Sequence, residues 1–385
     1  MKVAIVRYVE GAHNAARALR LCDGLTDLRP GSSVLVKPNC VTGGPPKKSP
    51  KGTVTNVSLM AELIETLKEA GAGSITVGEG SIVVKDMGAS TGSAFAWAGI
   101  SDLRSRYGIH LLDFNKGPYR EFDFEGHKVK VAGAAFEADF FVDMPVLKTH
   151  SQTRVSLGVK NLKGCLSQTS RKLFHKRDLE QFVALLGHQI KVDLCLIDGI
   201  FGLSRGPFGE GAIQLGLVIA SRDMIAADMV GAEVMGIDCR EVTHLRKLAE
   251  IKGHPFDLAR LDVVGERLED VRRALQWSHS WSEELLCAYD IRGLTIQDPG
   301  LTFCSGCTLT VFAGLRNFLK ANAGKDFGGA EICMGGTRAG RDSHPVVLLG
   351  ACPIAANKDV VGAFRVKGCP VSIANVVSNL MKVLC

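Results

Sequence analysis

Aromatic residues make up only 6% of this 385-residue chain, and no Lys/Arg run is interleaved with them. Single strands are held by stacked aromatics along a basic groove, so no nucleic-acid surface is expected. No apolar run reaches the length of a membrane span, and Met1–Tyr8 turns polar too soon for a signal peptide. That opening reads as a first strand, and the expected location is the cytoplasm, with no membrane partner. A Walker loop, a G-x-S-x-G elbow and an H-E-x-x-H pair are all missing. Three readily legible chemistries on phosphate, acyl groups and zinc are thereby set aside.

What is there is an ordinary globular balance of 46% hydrophobic and 22% charged residues, long enough for two cores. The formal charge of +6 suits a basic pocket for a small anion. Twelve cysteines in a reducing compartment are thiols or metal ligands. Cys22, Cys195 and Cys287 sit in apolar runs and read as inert thiols. A second group lies in Gly- and Pro-rich turns near the end: Cys304-Ser-Gly-Cys307, Cys352-Pro353 and Cys369-Pro370. Paired knuckles are the zinc habit, whereas one C-x2-C with dispersed Cys-Pro ligands is closer to iron–sulfur habits. The expected cofactor is a [4Fe–4S] cluster on Cys304, Cys307, Cys352 and Cys369. Cys333, beside Gly335-Gly336, is a fifth candidate that would replace Cys352. Zinc, or no metal, stays open.

Along the chain, Ser33–Asn39 reads as a buried strand and 56–70 as a helix with Leu59, Met60, Leu63, Ile64 and Leu67 on one face. Ser74–Gly80 follows as a strand, which makes a βαβ unit and a parallel sheet. Further strands are expected at 140–145, 193–198 and 215–220, a helix at 224–235, and a hairpin turning at Glu125-Gly126. The glycine-dense stretch 199–211 reads as a lid. The fold class is therefore α/β and Rossmann-like, a mostly parallel sheet with flanking helices over 1–285. A small cysteine-rich, cluster-binding domain follows over 286–385, closed by a helix at 371–384.

Charged side chains at strand ends are the candidate site. Lys37 ends one strand, and Lys148 and His150 follow another. Lys160, with Asn161 and Lys163, lies in a Gly-bounded segment, and Arg171, Lys172 and His175 come shortly after. In open parallel sheets ligands bind at that edge, so Lys37, Lys148, His150 and Lys160 are expected to clamp a carboxylate or phosphate. Asp198, at the end of 193–198, is either an acid/base group or the cap of the following turn. Asp223 reads as a helix N-cap, and Lys172, Lys176 and Arg177 as a solvated face.

Val36-Lys-Pro-Asn39, Pro145-Val-Leu-Lys-Thr-His150, Gly158-Val-Lys-Asn-Leu-Lys-Gly164 and Ile197-Asp-Gly-Ile200, in that order, resemble the domain of unknown function 362 family over about residues 1–270. The resemblance implies an α/β fold and anaerobic, iron–sulfur-associated redox metabolism. Many members carry ferredoxin-type C-x2-C-x2-C-x3-C runs, which this chain lacks. The expectation is an iron–sulfur oxidoreductase or electron-transfer protein acting on an anionic small molecule, with a redox partner protein. A lyase or hydratase using the cluster as Lewis acid is one alternative, and a non-enzymatic metal-stapled binding protein another.

Overall fold

Buried parallel strands are apolar on both faces, and the runs Val34-Leu-Val36 and Phe140-Phe-Val142 are of that kind. The computed structural model describes residues 1–44, 51–83, 88–207, 211–277, 281–340 and 345–385. They form two compact units. The first comprises Met1–Thr149, Val155–Ser204 and the chain onward to Gln276; the second comprises Trp277–Cys385 with His150–Arg154 and a short stretch from Arg205.

The strands up to 265 are β1 Lys2–Arg7, β2 Ser33–Pro38, β3 Ser74–Glu79, β4 His110–Asp113, β5 Tyr119–Phe124, β6 His127–Ala132, β7 Phe140–Met144, β8 Val146–His150, β9 Arg154–Ser156, β10 Leu194–Leu203, β11 Ala212–Ser221 and β12 Asp262–Gly265. Their main sheet has the order β12-β1-β11-β10-β7-β2-β3-β4, with β8 on β10 and β9 on β8. β11 runs antiparallel to β1 and β10, while β10, β7, β2, β3 and β4 are mutually parallel. The chain moves outward from β2 to β4 and returns to β7 on the other side of β2. That reversal is a topological switch point, where the strands' carboxyl ends open a crevice.

The helix Val57–Glu69 starts where Asn56 accepts from the amides of Ser58 and Leu59, and it buries Leu59, Met60, Leu63, Ile64 and Leu67 against the sheet core. Each such side chain contributes about 1.5–3 kcal/mol. The hairpin β5–β6 turns at Glu125-Gly126, and Asp223 caps the helix Met224–Val234 through the Ala226 amide. The expected lid differs. Gly199–Leu203 continue β10 and pair with β11, because Ile200 and Leu203 are apolar and buried. The remainder of that stretch includes 208–210, outside the described residues.

The second unit is more than a knuckle around a metal. β13 Arg292–Ile296, β14 Asp326–Cys333, β15 Val346–Leu349 and β16 Phe364–Val366 form an all-parallel sheet in that order. Phe303, Val311, Leu315, Phe318, Ile332, Val347, Val376 and Leu380 share its core. The helix Ser305–Ala321 packs on the closing helix Ile373–Leu384 at Gly314, where a Cβ would lie 2.7 Å from Val376 Cβ. Gly314→Val should cost about 1–3 kcal/mol by overpacking, read as a lower midpoint in urea unfolding. An unchanged midpoint would mean that these helices do not meet there.

Candidate functional site

In the first unit, charge is buried at the switch point. Lys37 on β2 stands opposite Asp143 on β7, and both side chains are fully buried. The Lys37 ammonium meets Glu79 Oε2, at the end of β3, at 3.0 Å and donates to Pro38 O at 2.9 Å. Glu79 also accepts from the amides of Cys40 at 3.0 Å and Gly80 at 2.9 Å. Burial alone would lower the Lys37 pKa, but Glu79 and the neighbouring Cys165 and Asp143 raise it above the ordinary lysine value. Asp143 is pushed well above the carboxylate range by burial, with partial opposition from Lys37. Among the described residues its Oδ2 has no hydrogen-bond partner.

A chain of amides joins this pair to the next lysine. Asn161 donates to Asp143 Oδ1 at 2.8 Å and accepts from Asn39 Nδ2 at 2.9 Å. Asn39 Oδ1 in turn accepts from Lys148 at 2.6 Å, and Lys148 also donates to Thr53 O at 3.0 Å. Lys148 is fully buried, and burial lowers its pKa to about 7. Asp198 lies inside β10 rather than at its end; it accepts from the amides of Asn56 at 2.7 Å and Ile200 at 3.1 Å. Its carboxylate therefore acts as a backbone cap, and burial raises its pKa to about 6.

Lys160 sits on the short helix Gly158–Asn161, whose first amides are held by Asp228 at 2.7 and 2.9 Å. It is 9% exposed and makes no hydrogen bond or ion pair among the described residues. Burial, then Lys163 and Lys148, lower its pKa well below the lysine range, with Glu180 opposing.

His150 belongs to the second unit. Its Nδ1 accepts from the Gln152 amide at 3.1 Å, which leaves the proton of the neutral ring on Nε2, 2.8 Å from Ser305 Oγ. Ser305 lies between Cys304 and Cys307. Within this unit the four expected cysteines come from turns that follow β13, β15 and β16, at one edge of a parallel sheet. Cys304 caps the helix Ser305–Ala321 and Cys307 lies in its first turn. Gly350, at φ 109°, passes the chain from β15 to Cys352, and the Ala351 amide donates to Gly368 O at 3.0 Å, beside Cys369. The Cys307 thiol is pushed up by a hydrogen bond with Cys304, by burial, and by the Cys304, Cys352 and Cys369 thiols. Cys352 is raised by burial and then by Cys304 and Cys369. Cys333 stands apart at the end of β14, buried among Val346, Leu348 and Ala363. Glu233, Asp238 and Cys239 also bring donor atoms within 4.8 Å of one another, but Arg272 at 2.9 Å and Arg240 at 2.7 Å already neutralise the two carboxylates.

Sequence reasoning missed Glu79, Asp143, Asn39 and Asn161 as one network. The signal available was an acid inside an apolar run, Phe140-Phe-Val-Asp-Met144, since a buried carboxylate requires partners.

A mostly parallel sheet with flanking helices makes this a mixed α/β protein, with charged groups buried where the strand order reverses. The chain belongs to the family described as Domain of unknown function (DUF362), whose model matches residues 34–233. That stretch holds the ion network and ends before the four clustered cysteines. A curated relative, the thylakoid-associated protein sll1697 of Synechocystis sp. (strain ATCC 27184 / PCC 6803 / Kazusa), is 28% identical over 218 residues, 55% of this chain and 65% of the relative. The chain thus spans less than two thirds of that relative's length. Among solved structures, the lactate racemase apoprotein of Thermoanaerobacterium thermosaccharolyticum matches at a TM-score of 0.37 and 14% identity, over 61% of this chain and 57% of that one. A Thermotoga maritima protein from a structural genomics programme matches at 0.31 and 12%, over 93% of each chain. Among the described residues no helix is long and apolar enough to cross a membrane.

Two outcomes follow from the network. A Cβ on Gly164 would lie 1.9 Å from Glu79 Oε1 and 2.6 Å from Lys37 Nζ. Gly164→Ala should break the buried pair and cost about 3–5 kcal/mol in denaturant unfolding; a cost under about 1 kcal/mol would refute that packing. For Lys148 the folded pKa, about 7, lies below the unfolded 10.5, so its contribution to stability rises as pH climbs through that window. Lys148→Met orphans Asn39 Oδ1 and Thr53 O, a cost that does not change with pH. Between pH 7 and 10 the stability difference should therefore move in favour of the wild type by up to a few kcal/mol. A difference that stays flat would show a lysine with an ordinary pKa.

Proposed function

We propose that this protein is an iron–sulfur oxidoreductase or electron-transfer protein of anaerobic metabolism, with a [4Fe–4S] cluster on Cys304, Cys307, Cys352 and Cys369. The reading rests on one observation: four thiols from three separate turns lie close enough that Cys304, Cys352 and Cys369 all act on the Cys307 thiol. The donor set fits the group. All four are sulfurs, the donors that iron–sulfur clusters take. Such a cluster supplies one-electron transfer at a potential tuned by hydrogen bonds and exposure. The chain's own part is to hold the thiols. His150 fixes the Cys304–Cys307 turn through Ser305, and the Ala351 amide ties the Cys352 turn to that of Cys369. Cys352 and Cys369 are exposed, which leaves that side open to a redox partner protein.

The first unit, on this reading, binds the anionic small molecule. Lys37 and Lys148 already have acceptors, whereas Lys160 has none among the described residues and is free to meet a ligand.

Protein purified without oxygen should contain about four irons and four acid-labile sulfides per chain, with visible absorbance that dithionite bleaches. Cys307→Ser should lose most of that iron, and Cys333→Ala should keep it. One zinc without sulfide, or iron lost with Cys333→Ala, would overturn the assignment.

A further inference from the structure

Three basic side chains of the first unit run from solvent to interior. His175 is exposed, Lys163 is half-buried and Lys160 is buried. Lys163 Nζ lies 3.3 Å from His175 Nε2. A nitrogen facing an ammonium at that distance has to act as acceptor, and Lys163 lowers the His175 pKa below the ordinary histidine value. On the inner side Lys148, when protonated, also opposes a charge on Lys160, and among the described residues Glu180, on the helix Leu179–Gln189, is the carboxylate that favours it. Glu180 is already engaged: its Oε2 accepts from His244 Nδ1 at 2.6 Å and from the His244 amide at 3.0 Å. Among the described residues the Lys160 amine thus has no hydrogen-bond acceptor, unlike Lys37 and Lys148, and it has Lys163 and Lys148 as neighbours.

We propose that Lys160, with Lys163 and His175, binds a small oxyanion, a carboxylate or a tetrahedral phosphate-like group, and that the anion enters together with a proton. The inference rests on the first unit being the anion-binding part, and it adds where the anion sits and what accompanies it. An unpaired buried ammonium is costly, so the empty site favours the neutral amine. A bound anion supplies the missing counter-charge and stabilises the ammonium, so the amine takes a proton from solvent as the complex forms. No bond other than N–H is made, and the proton comes from water or buffer. Lys163 and His175 act at the outer end, where a cation and a nearby second base attract the anion and orient it inward.

The test is calorimetric titration of the full chain with sodium sulfate and, separately, sodium acetate at pH 7.5, in Tris and in HEPES. These probes do not titrate at that pH, and their shapes distinguish a phosphate-like from a carboxylate ligand. The expected result is saturable binding of one of them, with an enthalpy that differs between the buffers by about one proton per site. Lys160→Met should weaken binding at least tenfold and abolish the buffer dependence. Lys160→Arg, whose guanidinium never releases its proton, should still bind but without buffer dependence. Saturable binding that is equal in both buffers, or unaffected by Lys160→Met, would overturn the inference and leave an anion site elsewhere in the unit. Failure of both probes to bind at millimolar concentration would overturn the inference and the anion reading together. Should Lys160→Met not fold, the wild-type buffer comparison and Lys160→Arg decide the matter.

Discussion

The buried pairing of Lys37 with Glu79 is the constraint on which the first unit depends. Two parallel strands, β2 and β3, end on opposite charges that are both buried. Neither charge can be removed alone without leaving the other uncompensated, so everything around them is shaped to keep the pair intact. Gly164 lacks a side chain because the pair occupies its space. Cys40 and Gly80 turn their amides onto Glu79, which fixes how the chain leaves both strands. Asn161 then couples Asp143 to Asn39, and through Asn39 to Lys148. Polarity at this depth costs stability that an apolar core would supply more readily. What it secures is geometry, a set of strand ends whose side chains can adopt one arrangement only.

The second unit solves a related problem with sulfur. Its strands are also parallel, so their carboxyl ends lie along one edge, and three of the four lead into a turn that carries a cysteine. The fourth, β14, ends on Cys333 while still inside the strand, and alternation turns that side chain into the core beside Val346 and Leu348. A residue before the end of a strand and a residue after it have different fates even when the local sequence, Cys-Met-Gly-Gly, looks as suited to a ligand loop as Gly-Ala-Cys-Pro.

That distinction marks how far the sequence was legible. The helix Val57–Glu69 and its Asn56 cap, the Glu125-Gly126 hairpin and the Asp223 cap follow from periodicity and from short-range hydrogen bonding, which act over a few residues and leave a local trace. The four cysteines stood out in the sequence through their Gly and Pro settings. The ion network was not, because Glu79, Asp143 and Asn161 are far apart in the chain and meet only through strand order. Lys37 and Lys148 were readable as strand-end cations, but whether each would find its acceptor inside the protein depended on residues 42 and 109 positions away. Asp198 shows the same limit. It was placed at a strand end, while β10 continues past it because Ile200 and Leu203 bury on the far side.

Among the lysines the decisive variable is therefore the presence of an internal acceptor rather than burial. Lys37 and Lys148 are the more deeply buried, yet both are consumed by the fold: one neutralises Glu79, the other closes the amide chain from Asp143. Lys160 is held as firmly, since Asp228 clamps the start of its helix and Asn161, its neighbour, is locked to Asp143. Its backbone is fixed while its amine has no partner among the described residues. A fold that required only stability would gain by placing an apolar side chain there, because a buried cation without an acceptor is a net cost. A rigid support beneath an amine that lacks an internal acceptor is the arrangement expected of a residue whose partner arrives from outside.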